Sequence, residues 1–90
     1  MEFEWDEAKN AANIAKHGVG FATASRIFDG PVVTWADDRT DYGEVREHSI
    51  GAVEGILFLA VIHTSRDGKQ RIISARRASR AERKRYEQAI

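Results

Sequence analysis

Cysteine is absent from the 90 residues, which excludes disulfide staples, thiolate zinc sites and cysteine nucleophiles and is compatible with a reducing cytoplasm. Proline occurs once, at Pro31, and no apolar run approaches the ~20 residues a membrane span needs. Met1 to Asp6 is acidic and has neither the basic nor the apolar region of a signal peptide. Three scattered histidines without ligand spacing make no zinc site, so neither a metal nor another cofactor is expected. Repeats, linkers and low-complexity segments are missing too. Residues 1–90 read as one small domain with a modest core, soluble and cytoplasmic.

What is present is charge, unevenly placed. From His63 onward nine Lys and Arg face three Asp and Glu, a balance of +6; up to Ile62 five face eleven, a balance of −6. Such asymmetry suits a polyanion partner or an acidic segment folded onto a basic site, although a solvated basic helix looks the same in composition. The basic part is organised. Arg71 to Arg77 reads as a strand with Ile72 and Ile73 in its middle, and Ser79 followed by Glu82 is a capping box that starts a helix running past Tyr86. Adjacent strand residues point opposite ways, so only one of Arg76 and Arg77 can face a given side of a sheet.

Upstream, Glu2 to Trp5 alternates as a short strand and Asp6 caps a helix over Glu7 to His17, ended by Gly18. Ala8, Ala11, Ala12 and Ala15 share one face of that helix, which predicts close packing on a sheet. Lys9, Asn13 and Lys16 share another, either wet or phosphate-binding. A second helix, Phe21 to Phe28, carries Phe21, Ala24, Ile27 and Phe28 as core, with Gly20 as a weak N-cap; Asp29, Gly30 and Pro31 end it. Val32 to Ala36 is a strand, residues 37–43 a polar loop, and Glu44 to Gly51 a strand with Glu44, Arg46, His48 and Ile50 on one face. A strand so polar sits at an edge, lines a site or is covered by a partner. Ile56 to Ile62 has the unbroken apolar run of a central strand, and Asp67 with Gly68 signals a tight hairpin. The order β-α-α-β-β-β-β-α predicts an α+β fold: an antiparallel sheet, two N-terminal helices on one face, and a basic C-terminal helix with little apolar surface of its own.

Phe3, Glu4, Trp5 and Asp6, then Lys9, Asn13, Lys16, His17, Gly18 and Val19, then Phe21, Ala24, Phe28, Asp29 and Pro31 make up one half of a recurring pattern. The other half is Asp38, Arg39, Gly43, Glu44, Arg46, Ile50, Gly51, His63, Thr64, Arg71 to Arg76, Glu82 and Tyr86. From end to end this resembles the BrnT family. The resemblance implies a bacterial type II toxin, an endoribonuclease of RelE-like fold, and a BrnA-like antitoxin partner. That antitoxin carries the ribbon-helix-helix contact to operator DNA, in an assembly of two toxins with two antitoxins. Gly20 departs from the polar cap more usual in the family.

Metal-independent RNA cleavage needs a base for the ribose 2′-OH, a counter-charge for the phosphorane and an acid for the 5′-oxygen. Arginine suits the second task because its planar fork meets two phosphate oxygens and stays charged. Arg76 is the first candidate and Arg46 the second; His17 and Glu44 are candidates for proton transfer. Lys16, Arg77, Arg80, Lys84 and Tyr86 are candidates for RNA binding. Each has a structural counterpart: His17 as a helix-terminus residue, Glu44 and Arg46 as a cross-strand pairing set, and Tyr86 as the residue that holds the last helix down. His48 and His63 are read as structural. A non-catalytic module that binds nucleic acid or a partner through the same basic strand and helix is the competing functional class.

Overall fold

A computed structural model describes residues 1–37 and 43–90 of the chain. Most of the polar loop expected at residues 37–43 lies outside the described residues. In order the elements are β1 (Phe3–Glu4), α1 (Glu7–His17), α2 (Phe21–Ser25), a 3₁₀ turn (Arg26–Asp29), β2 (Val32–Asp37), β3 (Arg46–Val53), β4 (Leu57–Arg66), β5 (Lys69–Arg77) and α3 (Arg80–Ala89). The expected second helix is therefore a short α-helix tightened into a 3₁₀ turn. The third strand starts two residues later than expected, at Arg46, and leaves Glu44 just outside it. Ile56 falls in the β3–β4 turn and is exposed, so the central strand begins at Leu57.

Five strands form one sheet in the order β1-β5-β4-β3-β2. Neighbours β2 to β5 are antiparallel, as consecutive strands joined by short turns must be. The β4–β5 turn has Asp67 and Gly68 both at positive φ, 52° and 78°, the pair of left-handed residues a two-residue hairpin requires. β1 corrects the all-antiparallel expectation: it pairs parallel with β5, Phe3 opposite Gln70 and Glu4 opposite Arg71. No turn joins these two strands, so no turn dictates their direction. The pairing is fixed by the Gln70 N–H donating to the Glu2 carbonyl at 2.8 Å and by the Arg71–Glu4 ion pair at 2.9 Å.

Beyond the two residues of β1, the free edge of β5 is closed by a side chain. Asn13 accepts from the Ala75 N–H at 3.2 Å and donates to the Ala75 carbonyl at 2.7 Å, with a further bond to the Val19 carbonyl at 2.8 Å. One amide thus satisfies a strand residue on both sides, as a neighbouring strand would. This overturns two expectations for α1. Asn13 is buried instead of wet, while Ala8, Ala11, Ala12 and Ala15 are exposed instead of packed. Hydrogen-bond geometry at the β5 edge outweighs the small-residue face in orienting the helix. Asn10 contributes as well: its side chain accepts the Phe21 N–H at 2.8 Å, which compensates for Gly20 having no side chain with which to cap α2.

The core lies between α2 and one face of the sheet. Phe21, Ala24 and Ile27 pack on Val53, Leu59, Val61, Ile72 and Ala75, with Phe3, Trp5, Phe28 and Val32 around them. Gly51 lets the 3₁₀ turn approach: a Cβ there would stand 2.9 Å from Ile27 Cβ and 3.0 Å from Val32 Cγ1. Strand alternation puts Ile50 and Ala60 on the opposite face, where they meet Tyr86 of α3. The sheet is thus covered on both sides, by α2 on one and by α3 on the other. Among the described residues no helix is long and apolar enough to cross a membrane.

Candidate active site

The face under α3 collects the residues of interest through register alone. Arg46, His48 and Ile50 alternate along β3 on that face. Trp35 lies opposite His48 on β2, and Ala60, opposite Ile50 on β4, is in turn opposite Arg76 on β5. The polar strand β3 therefore lies inside the sheet and lines a site, one of the options its composition left open. Arg76 and Arg77 are resolved by the same alternation: Arg76 is on the His48 side, and Arg77 points the other way at the exposed strand end.

The capping box that starts α3 also builds the centre of this face. Ser79 accepts the Glu82 N–H at 3.1 Å, and Glu82 Oε1 accepts the Ser79 N–H at 2.8 Å, so both backbone and carboxylate are fixed. The same carboxylate takes both branches of the Arg76 guanidinium, Nη1 to Oε1 at 2.6 Å and Nη2 to Oε2 at 2.9 Å. His48 Nε2 stands 2.9 Å from Oε2. Burial by itself would raise the Glu82 pKa. The hydrogen bonds from Arg76 and the Ser79 N–H, with the positive charges of Arg76 and His48, outweigh it and hold the pKa at about 2. At that distance the carboxylate and a protonated imidazole attract as an ion pair. The outcome is an anion clamped between an arginine fork and an imidazole.

Aromatic rings flank this centre. Trp35 stacks on His48 with centroids 4.4 Å apart and planes at 25°. Arg85 lies 3.7 Å from the Trp35 centroid, and Arg83 lies 4.1 Å from that of Phe58. Tyr86, between them on the helix, is buried: it meets Phe58 edge-on at 5.7 Å and donates to the Pro31 carbonyl at 3.2 Å. α3 is thus anchored by Glu82 and Tyr86, more firmly than its scarcity of apolar residues suggested.

Other sequence candidates are distributed as follows. Glu44, just before β3, bridges Arg46 at 3.5 Å and Arg66 at 3.2 Å. Arg46 is on the same face as Arg76 but four residues along the strand from Ile50, the residue in the Arg76 row, a separation of roughly 13 Å. Arg80 and Lys84 are exposed one turn apart on α3. His17 and Lys16 are exposed in the last turn of α1, just before the left-handed Gly18 that ends the helix. A cleft of about 470 Å³ lined by Arg26, Pro31, Val53, Glu54 and Tyr86 lies beside the β3–β4 turn and contains none of the Arg76–Glu82–His48 group.

Sequence reasoning missed His48, Glu82 and Trp35 as a group. The alternation of Glu44, Arg46 and His48 was a usable signal for the first. Trp35 depends on the β2–β3 register, and Glu82 was explained completely by its role as a cap.

Comparison with known proteins bears on the family and the fold. No curated protein sequence matches the chain. The crystal structure of the Brucella abortus ribonuclease toxin BrnT is similar, with a TM-score of 0.65 and 32% identity over 89% of this chain and 99% of that one. The model of the ribonuclease toxins BrnT of type II toxin-antitoxin systems matches residues 5–82, so the chain belongs to the BrnT family.

Proposed function

We propose that the chain is a metal-independent endoribonuclease of RelE-like type, acting on RNA in the cytoplasm to halt translation and held inactive by a BrnA-like antitoxin. Two toxins with two antitoxins make up the inactive assembly, and operator DNA is met through the antitoxin alone. The observation that carries the catalytic reading is the Glu82 carboxylate shared by the Arg76 fork and His48 Nε2.

In this scheme the ribose 2′-OH gives up its proton to solvent water as its oxygen attacks the adjacent phosphorus, the bond from phosphorus to the 5′-oxygen breaks, and the products carry a 2′,3′-cyclic phosphate and a 5′-hydroxyl. Arg76, whose side chain keeps 40% of its surface in solvent, neutralises the charge that develops on the phosphorane. His48, as the imidazolium that Glu82 stabilises beside Nε2, gives the proton on Nδ1 to the departing 5′-oxygen. Glu82 itself, with a pKa of about 2, is too weak a base to take a 2′-OH proton and acts by positioning. The proton-transfer role expected of His17 passes to His48. Arg46 and Glu44, roughly 13 Å along the strand, serve a neighbouring part of the RNA rather than the same phosphate. Arg80 and Lys84, with Arg77 and Lys16 further out, attract the backbone electrostatically.

The test is incubation of labelled RNA in EDTA with the wild type, Arg76→Ala and His48→Gln, each shown to be folded. Wild-type fragments ending in cyclic phosphate are expected, with a loss of about 10² to 10³ fold for Arg76→Ala and at least ~10² fold for His48→Gln. Cutting that needs added magnesium would overturn metal independence. Equal cutting by all three proteins would overturn the residue assignment.

A further inference from the structure

Three flat groups are piled on this face: the His48 imidazole, the Trp35 indole 4.4 Å away at 25°, and the Arg85 guanidinium 3.7 Å from the Trp35 centroid. A guanidinium carbon and an imidazole cannot both lie that close to one ring on the same side without overlapping, so Arg85 and His48 occupy opposite faces of Trp35. His48 and its neighbours bury the inner face of the indole. Among the described residues, the outer face is covered by the tip of the exposed Arg85 side chain from α3.

We infer that the outer face of Trp35 is a nucleobase-stacking platform, filled by one base of a single-stranded RNA after Arg85 swings aside. The inference rests on the reading of this face as an RNA site and adds to it where a base on the strand near the scissile phosphate goes. Four points carry it. His48 belongs both to the stack and to the Arg76–Glu82 group, so a base on Trp35 shares one face with a phosphate on Arg76, about 14 Å away across three strand spacings. An indole with one wall buried is already ordered, and stacking on it costs little further entropy. A cation–π contact at an exposed position is the weak kind, whereas base-on-aromatic stacking is the main source of sequence-tolerant affinity for single strands. Finally, Arg85 once displaced remains tethered one side-chain length away, next to the phosphate that accompanies the base. Because every base has a π-face, the platform discriminates by ring size, purines over pyrimidines, and not by hydrogen-bond pattern.

The chain has two tryptophans. In a Trp5→Phe background Trp35 is the sole indole, and Trp5 serves the core through an edge contact with Phe21 that phenylalanine can keep. This protein is titrated with a fluorescently labelled 2′-O-methyl RNA oligonucleotide, which has no free 2′-OH and cannot be cleaved. Anisotropy of the label follows binding, and indole emission follows the platform. Saturable quenching of Trp35 is expected, with affinity falling about tenfold when one defined base is removed to leave an abasic sugar. Trp35→Leu should lower affinity by a similar factor and no longer respond to the abasic position. Binding by anisotropy with unchanged indole emission, equal affinity for intact and abasic strands, or no binding would each overturn the inference. The quench is read with Trp35 in place, so the result does not depend on Trp35→Leu folding. Quenching by a protein that never cuts natural RNA would overturn the catalytic reading and leave the platform standing. Cutting without quenching would do the reverse.

Discussion

The two faces of the sheet each bury a strand histidine, and the two residues have opposite surroundings. His63, on the α2 side, sits in a row of neutral groups that crosses four strands: Thr34 Oγ1 to Ser49 Oγ at 2.7 Å, Ser49 Oγ to His63 Nε2 at 2.7 Å, and His63 Nδ1 to Gln70 Oε1 at 2.8 Å. Phe28 meets its ring edge-on at 5.1 Å. Both nitrogens are engaged, and the row runs from the exposed Thr34 through the buried Ser49 and His63 to the half-buried Gln70. His48, on the α3 side, instead meets a carboxylate, and through it a partly exposed arginine, beneath an indole. Burial is similar, 4% and 7% exposed, so burial does not separate the two. The charge of the neighbours does: a carboxylate stands beside His48, and hydroxyl and amide groups beside His63.

Three substitutions probe that contrast from its largest expected effect to its smallest. Phe21→Ala empties the centre of the apolar face and should cost about 3–5 kcal/mol in urea denaturation, leaving RNA cleavage per folded molecule unchanged. A drop in specific activity beyond the unfolded fraction would show that the two faces are coupled. Glu82→Gln acts on the charged face. With a folded pKa of about 2 against an ordinary 4.5, the carboxylate stabilises the fold fully above pH 4.5. That contribution is lost as pH falls from 4.5 through 2. At pH 7 the variant should be less stable by on the order of 2–3 kcal/mol and should cut RNA more slowly, and the stability gap should close across the acid window. A gap independent of pH would mean that Glu82 acts through packing and not through its charge. Ser49→Ala breaks the neutral row and leaves His63 Nε2 without its hydroxyl. About 1–2 kcal/mol of stability should be lost with no change in cleavage rate once folding is corrected for.

Local chemistry was the legible part of this fold. Ser79 with Glu82, Gly18 after His17, and Asp67 with Gly68 each act over a few residues, and all three perform the terminus or turn their spacing implied. Alternation also put Arg46 and His48 on one face correctly. What a strand's periodicity leaves out is its neighbour. Trp35 stands over His48 because of a register between β2 and β3, and Glu82 reaches His48 from 34 positions further along the chain. The alanine face of α1 misled for a related reason: small side chains permit close packing but do not demand it, whereas the unpaired N–H and C=O of Ala75 demand a partner and found it in Asn13.

The pairing of β1 with β5 bears on the order in which the molecule can be assembled. Phe3 must find Gln70, and Asn13 must find Ala75, closing loops of more than sixty residues. Helix α1 hides almost no apolar surface of its own, so until Lys69–Arg77 has been made it has nothing to dock on. The same late segment brings Arg76, and the residues just after it bring Glu82. Maturation of the fold and completion of the charged site are therefore one event, which waits for residues 69–82 to be made, and a nascent chain lacking that segment has neither.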